Sequence, residues 1–204
     1  MEKYIEKAMT FAEYEKLIDD LLAENKTTGL NQSEAMVGYA RLNRQRMVRL
    51  KKTIDLEETA RAFIQANPRR MIWLIITEGW CGDAAQSVPV IEKIAAESDK
   101  IETRYILRDE NLELMDLFLT GGSRSTPKLI ALDAETLEVL GTWGSRPQAA
   151  QDLFAKMKAD GVEKAVILEE IQRWYNADKG LSMQHEFVEL IVEWNAKESA
   201  AVAN

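Results

Sequence analysis

The sequence predicts an α/β fold: a mixed sheet flanked by helices, with helical N- and C-terminal extensions. Three observations carry this. The apolar period changes near residue 70 from helix-like i, i+3, i+4 spacing to a continuous run, Met71-Ile72-Trp73-Leu74-Ile75-Ile76-Thr77, of strand length. Such a run fits a central strand covered on both faces. Two later strand-like segments are separated only by Asp133-Ala134-Glu135-Thr136, a link too short for anything but an antiparallel pair. Helical periodicity returns beyond Gly161 and persists toward the end of the chain.

The elements follow in order. Tyr14, Leu17, Ile18, Leu21 and Leu22 form the first helical stripe, broken at Thr27-Thr28-Gly29. A second helix runs from about residue 32 to 54 with Ser33 as its cap, and a third covers 55–66 with Asp55 as N-cap and Asn67-Pro68 as its stop. After the strand at 71–77 come a helix at 83–98, a strand at 101–107 and a helix at 110–119 closed by Gly121-Gly122. Asp109-Glu110 reads as the acidic start of that last helix. Strands at 128–132 and 137–143 and a helix at 148–159 complete a β-α-β-α-β-β-α order, a parallel crossover followed by a hairpin. In the tail, Ala165, Leu168, Ile171 and Trp174 or Tyr175 make one stripe, and Phe187, Leu190, Ile191 and Trp194 another after Asp178-Lys179-Gly180. This divides the chain into a helical extension at 1–54, a central domain at 55–160 and a second helical extension at 161–204.

Composition narrows the chemistry. The 204 residues are 46% hydrophobic and 29% charged, ordinary globular usage, so a real core is expected. The chain has one cysteine, Cys81, and one histidine, His185. An intramolecular disulfide and a Cys/His zinc site are thereby excluded, and no metal or cofactor is expected. The first 22 residues carry acids throughout and lack a signal-peptide apolar region, and no run of 18 apolar residues occurs. A cytoplasmic protein without membrane contact is the expectation. Net charge is −8, split into +2 for residues 1–70 and −10 for residues 71–204, which argues against nucleic acid as a partner. Residues 41–52, RLNRQRMVRLKK, hold six basic side chains and no acid. They read either as the acid-facing side of an amphipathic helix or as a surface for an anionic partner.

The chemistry concentrates between the first strand and its helix, at Glu78-Gly79-Trp80-Cys81-Gly82-Asp83-Ala84. A cysteine there meets unpaired backbone N–H groups and the positive end of the helix dipole, both of which favour a thiolate. Trp80-Cys81-Gly82 after a buried strand, Pro89 eight residues on, Thr126-Pro127 before a later strand and Gly144 after the last one resemble the thioredoxin family over about residues 68–158. The resemblance implies a thioredoxin-like fold. It also implies that Cys81 is the nucleophile and that Pro127 is a cis-proline facing it. Trp80, Gly82, Asp83, Ala84, Thr126 and Pro127 would then shape the site.

The departures matter as much. Ala84 stands where dithiol members carry the second cysteine, so a mixed disulfide has no resolving thiol in this chain. Ile75 stands where the family's buried aspartate would be. Asp83 beside Cys81 opposes thiolate formation, whereas Arg124 and Arg146, on loops expected to border the cysteine, would favour it or hold the carboxylate of a low-molecular-weight thiol. Both also read as ordinary surface arginines. His185 would pair with Cys81 only if the last helix folded over the site. Two functions stay open: a monothiol thioredoxin-like protein exchanging with a protein or low-molecular-weight thiol or disulfide, or a non-catalytic thioredoxin-fold binding module. A third reading has the terminal helices form a dimer that presents two copies of Cys81.

Overall fold

The computed structural model describes residues 1–197. Helices α1 (Glu2–Ile5), α2 (Phe11–Ala23), α3 (Glu34–Thr53) and α4 (Glu58–Gln65) precede strand β1 (Met71–Thr77). Then follow α5 (Gly82–Ala95), β2 (Ile101–Leu107), α6 (Leu112–Leu117), β3 (Lys128–Asp133), β4 (Val139–Gly144), α7 (Gln148–Ala159), α8 (Lys164–Asp178) and α9 (Leu181–Ala196). The four strands form one sheet in the order β2-β1-β3-β4. β1 runs parallel to β2, while β3 is antiparallel to both β1 and β4. This is the crossover-then-hairpin arrangement expected from the connection lengths.

Strand β1 is buried along its whole length because both faces of the sheet are covered. Alternation divides its side chains between two cores. Trp73 and Ile75, with Leu129 and Ala131 of β3, face a core that includes Val88 and Ile91 of α5, Met47 of α3, and Phe187, Ile191 and Trp194 of α9. Ile72, Leu74 and Ile76, with Ile130 and Leu132, face a smaller core closed by Tyr4, Leu114 and Met115. Both helical extensions thus contribute side chains to the larger core. The tail also builds a separate third cluster, in which Ile167, Ile171 and Tyr175 of α8 pack with Ala150 of α7.

Helix ends obey local chemistry that the sequence only partly displays. Thr10 caps α2 in a reciprocal capping box with Glu13. Ser33 occupies the N-cap position of α3, but its side chain makes no capping bond. Asp55 does not cap α4: Glu57 holds that position, and Asp55 Oδ1 instead accepts from Leu56 N–H and Arg61. The expected helix at 110–119 shortens to α6, with Asn111 before it and Phe118 already out of helical geometry at φ −132° and ψ 42°. Asp109-Glu110 therefore lies in the preceding turn. The basic run lies on α3, and two of its six cations face acids among the described residues: Arg44 pairs with Glu15 and Asp19, and Lys51 with Glu15.

Candidate functional site

The turn between β1 and α5 is fixed from outside the sheet. Glu78 is fully buried and its carboxylate accepts from the Thr28 hydroxyl and, at 2.8 Å, from Asp109 N–H. Burial holds this carboxyl above the ordinary range, and the two donors pull it back. Gly79 N–H donates to Thr28 Oγ1 at 2.9 Å, and Asn43 Nδ2 donates to the Gly79 carbonyl at 3.1 Å. Thr28 and Asn43 come from the N-terminal 54 residues. Trp80 lies under the Arg108 guanidinium, 4.7 Å from ring centroid to Cζ.

Cys81 is the N-cap of α5, with extended backbone at φ −79° and ψ 116°. Its Sγ accepts from Ala84 N–H at 3.4 Å and donates to the Thr126 carbonyl at 3.2 Å. Thr126–Pro127 is a cis peptide bond. The cysteine and the proline loop meet through the Thr126 backbone carbonyl and not its hydroxyl. Gly144 closes the loop from the β4 side. It has φ +121°, and a Cβ there would run into the Pro127 carbonyl, so both conformation and space require glycine.

The electrostatics reverse one expectation. The helix end does donate to Sγ, yet burial pushes the Cys81 thiol up to about 11, with the Asp83 carboxylate adding to the rise. Asp83 is itself buried and held by a bidentate pair with Arg146, at 2.6 Å from Nη2 and 2.9 Å from Nε, and by the Tyr175 hydroxyl at 3.2 Å. Burial raises the Asp83 carboxyl, while Arg146 and Tyr175 oppose that rise. Burial would lower Arg146, but Asp83 holds it above its ordinary value. Arg146 is thus committed to Asp83 and is not a free partner for the thiolate. Arg124 is likewise committed, on the surface, to both carboxylate oxygens of Asp116 at 2.6 and 2.8 Å. His185 bonds Glu57 at 2.7 Å and takes no part in the site.

Of the residues singled out from sequence, Trp80, Cys81, Gly82, Asp83, Ala84, Thr126, Pro127 and Arg146 come together, and Arg124 points its charge elsewhere. Sequence reasoning gave no site role to Thr28, Gln172 and Tyr175, which arrive from distant segments with no local motif to mark them, and it read Asn43 and Arg46 only as part of the basic run 41–52. It also missed Glu78, although an acid three residues before the cysteine, at the end of a buried strand, was visible. Space beside Gly82 is bounded by Gln172 of α8 and by Arg46 and Asn43 of α3: a Cβ there would lie 3.4, 3.7 and 4.0 Å from Nε2, Nη1 and Oδ1. Among the described residues, no group of three or more His, Cys, Asp or Glu side chains is arranged to hold a metal, and no helix is long and apolar enough to cross a membrane.

A β2-β1-β3-β4 sheet with a cysteine at the first turn after β1, opposed by a cis-proline before β3, defines a thioredoxin-like protein with a single sulfur at its site. Residues 29–158 match a family model described as thioredoxin, and the chain belongs to the thioredoxin family. The match begins before α3, so that helix lies within the matched region. Among solved structures, the chain is similar to a Pseudomonas aeruginosa protein of unknown function, at 21% identity and a TM-score of 0.60 over 95% of this chain and 96% of that one. It is also similar to an HIV epitope scaffold, at 18% identity and a TM-score of 0.55 over 91% and 98% of the two chains. These likenesses establish the fold. No curated protein matches the chain.

Proposed function

We propose that this protein is a monothiol member of its family that forms a mixed disulfide at Cys81. The observation that carries the reading is the placement of the one thiol. It receives Ala84 N–H at the start of α5 and contacts the carbonyl preceding the cis-proline at 3.2 Å. In the step envisaged, Cys81 Sγ loses its proton and attacks one sulfur of a disulfide R–S–S–R. The R–S–S–R bond breaks as the Cys81–S–R bond forms, and the departing R–S⁻ takes up the proton. No electrons enter or leave. Ala84 cannot resolve the adduct, so a second, external thiol releases Cys81 by the same exchange in reverse.

The buried thiol makes this a slow site at rest. With its value near 11, on the order of one thiol in ten thousand is ionised at pH 7. Reaction therefore requires a partner that takes over the Thr126 carbonyl or brings positive charge to the sulfur. The second reading, a binding module in which Cys81 is inert, is favoured by the same burial. Incubation of the native protein with a small disulfide, followed by intact-mass measurement, separates the two. An adduct confined to Cys81 and released by added thiol is expected. A native protein that stays unmodified while its denatured form is labelled fully would sink the redox reading.

A further inference from the structure

Among the described residues Lys128 is the only buried lysine, 7% exposed, and the exchange at Cys81 makes no use of it. It follows the cis-proline on β3 and is paired in register with Gly144 of β4, which has no side chain to cover it. Its one hydrogen bond among the described residues runs from Nζ to Thr120 Oγ1 at 3.5 Å, the outer limit for such a bond, and no carboxylate pairs with it. Burial alone lowers the amine from the ordinary lysine value. A desolvated cation without a counter-charge is costly, and this chain, with a net charge of −8, has acids to spare.

Lys128 and Gly144 line a cavity of about 390 Å³ at the outer edge of the sheet, where β4 has no further strand beside it. That volume suits a small molecule. Trp143 and Leu190 give the cavity apolar wall, and Glu186, Glu189 and Glu193 of α9 bring three carboxylates to it. Glu186 is occupied by Trp143 Nε1 at 2.7 Å and by Gln148 N–H at 2.6 Å. Glu189 and Glu193 are exposed, lie one helical turn apart and pair with no described residue. One cavity therefore holds an amine and carboxylates that do not neutralise one another. An anion alone would meet the repulsion of the α9 acids, and a cation alone would leave Lys128 unpaired and be repelled by it. We infer that this cavity binds a small zwitterion, an ω-amino carboxylate whose carboxylate meets Lys128, whose methylene chain lies on Trp143 and Leu190, and whose ammonium meets Glu189 and Glu193.

Occupancy of this cavity asks nothing of Cys81, so it is measured on the wild-type chain by calorimetry, whether or not disulfide exchange occurs. The probes are β-alanine, 4-aminobutanoate and 6-aminohexanoate, with hexanoate and hexylamine as compounds that lack one of the two charges. At least one of the amino acids should bind, on the order of tenfold more tightly than hexanoate or hexylamine, and more weakly as salt is raised. Lys128→Met should weaken that binding by about tenfold and melt no lower than wild type, since an unpaired buried charge gives way to an apolar side chain. Glu189→Gln combined with Glu193→Gln, at exposed positions that leave folding alone, should weaken it by about threefold, and Lys52→Gln on α3 should leave it unchanged. The Trp143 indole N–H resonance should shift on saturation, because its acceptor Glu186 borders the ligand. Equal binding of hexanoate or hexylamine, affinity indifferent to Lys128 or to the glutamate pair, or no heat with any of the amino acids overturns the site.

Discussion

At Cys81 two opposing local effects can be weighed. The first turn of α5 offers N–H donors that favour a thiolate, and this much was legible from a cysteine at a strand-to-helix junction. Depth of burial and the fixed position of Asp83 were not legible, because both depend on helices far away in sequence. They win, raising the thiol to about 11. An unfolded thiol titrates near 8.5–9, so below that range folded and unfolded chains both keep the proton and the full stability is present. Between about 9 and 11 the unfolded chain loses its proton while the native one keeps it, and stability falls by about 2–3 kcal/mol across that window. Urea unfolding at pH 8 and pH 10.5 should show that loss, and Cys81→Ser should reduce it; an identical pH slope in the two proteins would contradict the burial argument. Asp83→Asn probes the second effect. Removing the negative charge should lower the Cys81 value and speed its alkylation at pH 8, while leaving Arg146 buried without its partner should cost about 3 kcal/mol. Alkylation no faster than wild type in a protein shown to be folded would mean that Asp83 does not set the thiol.

Elements were read from periodicity far more reliably than their ends were. The β1 run and the short hairpin link are dense apolar signals and appear where expected, whereas the stripe on α8 is offset: Ile167, Ile171 and Tyr175 form its buried face, and the expected Ala165 and Leu168 are exposed. Ends depend on single polar bonds: Asp55 looked like a cap, but the chain turns into α4 two residues later, where Glu57 takes the position without a side-chain bond. The packing of α9 on β4 shows a different kind of hidden constraint. Gly141 lies on an edge strand where a larger residue would ordinarily be admitted, yet a Cβ built on it falls inside the Trp194 indole. Trp194 also meets Trp73 edge-on, with ring centroids 5.9 Å apart, and its carbonyl accepts from Arg69 at 2.9 Å, so it has little freedom to withdraw. Gly141→Ala should therefore cost about 1–3 kcal/mol by overpacking, visible as a lower melting temperature and a change in tryptophan near-UV circular dichroism. An unchanged melt would indicate that α9 slides along the sheet at no cost.

Across the whole molecule, the helices outside the strand-rich middle complete both the core and the site. From sequence they resembled appendages, because nothing in an amphipathic stripe says which surface it will cover. Their contacts give the answer. Met183, Phe187, Ile191 and Trp194 of α9 are each no more than 1% exposed and close the larger core over Trp73 and Trp143. Tyr175 and Gln172 of α8 reach Asp83 and Gln86 at the start of α5. On the other side, Thr28 and Asn43 hold the turn that presents the cysteine. Exposing the four α9 side chains forfeits about 1.5–3 kcal/mol each, or roughly 6–12 kcal/mol together. Net stability of a domain is about 5–15 kcal/mol, so the loss is of the same size as the whole. A chain ending at residue 160 should accordingly lack a cooperative thermal transition and bind a hydrophobic dye, and its Cys81, if accessible, should alkylate as an ordinary thiol. Were that shortened chain to melt cooperatively and keep the slow, high-pH alkylation of the full protein, the covering helices would be dispensable to both core and site. The raised thiol would then have to arise within the β1–α5 turn alone.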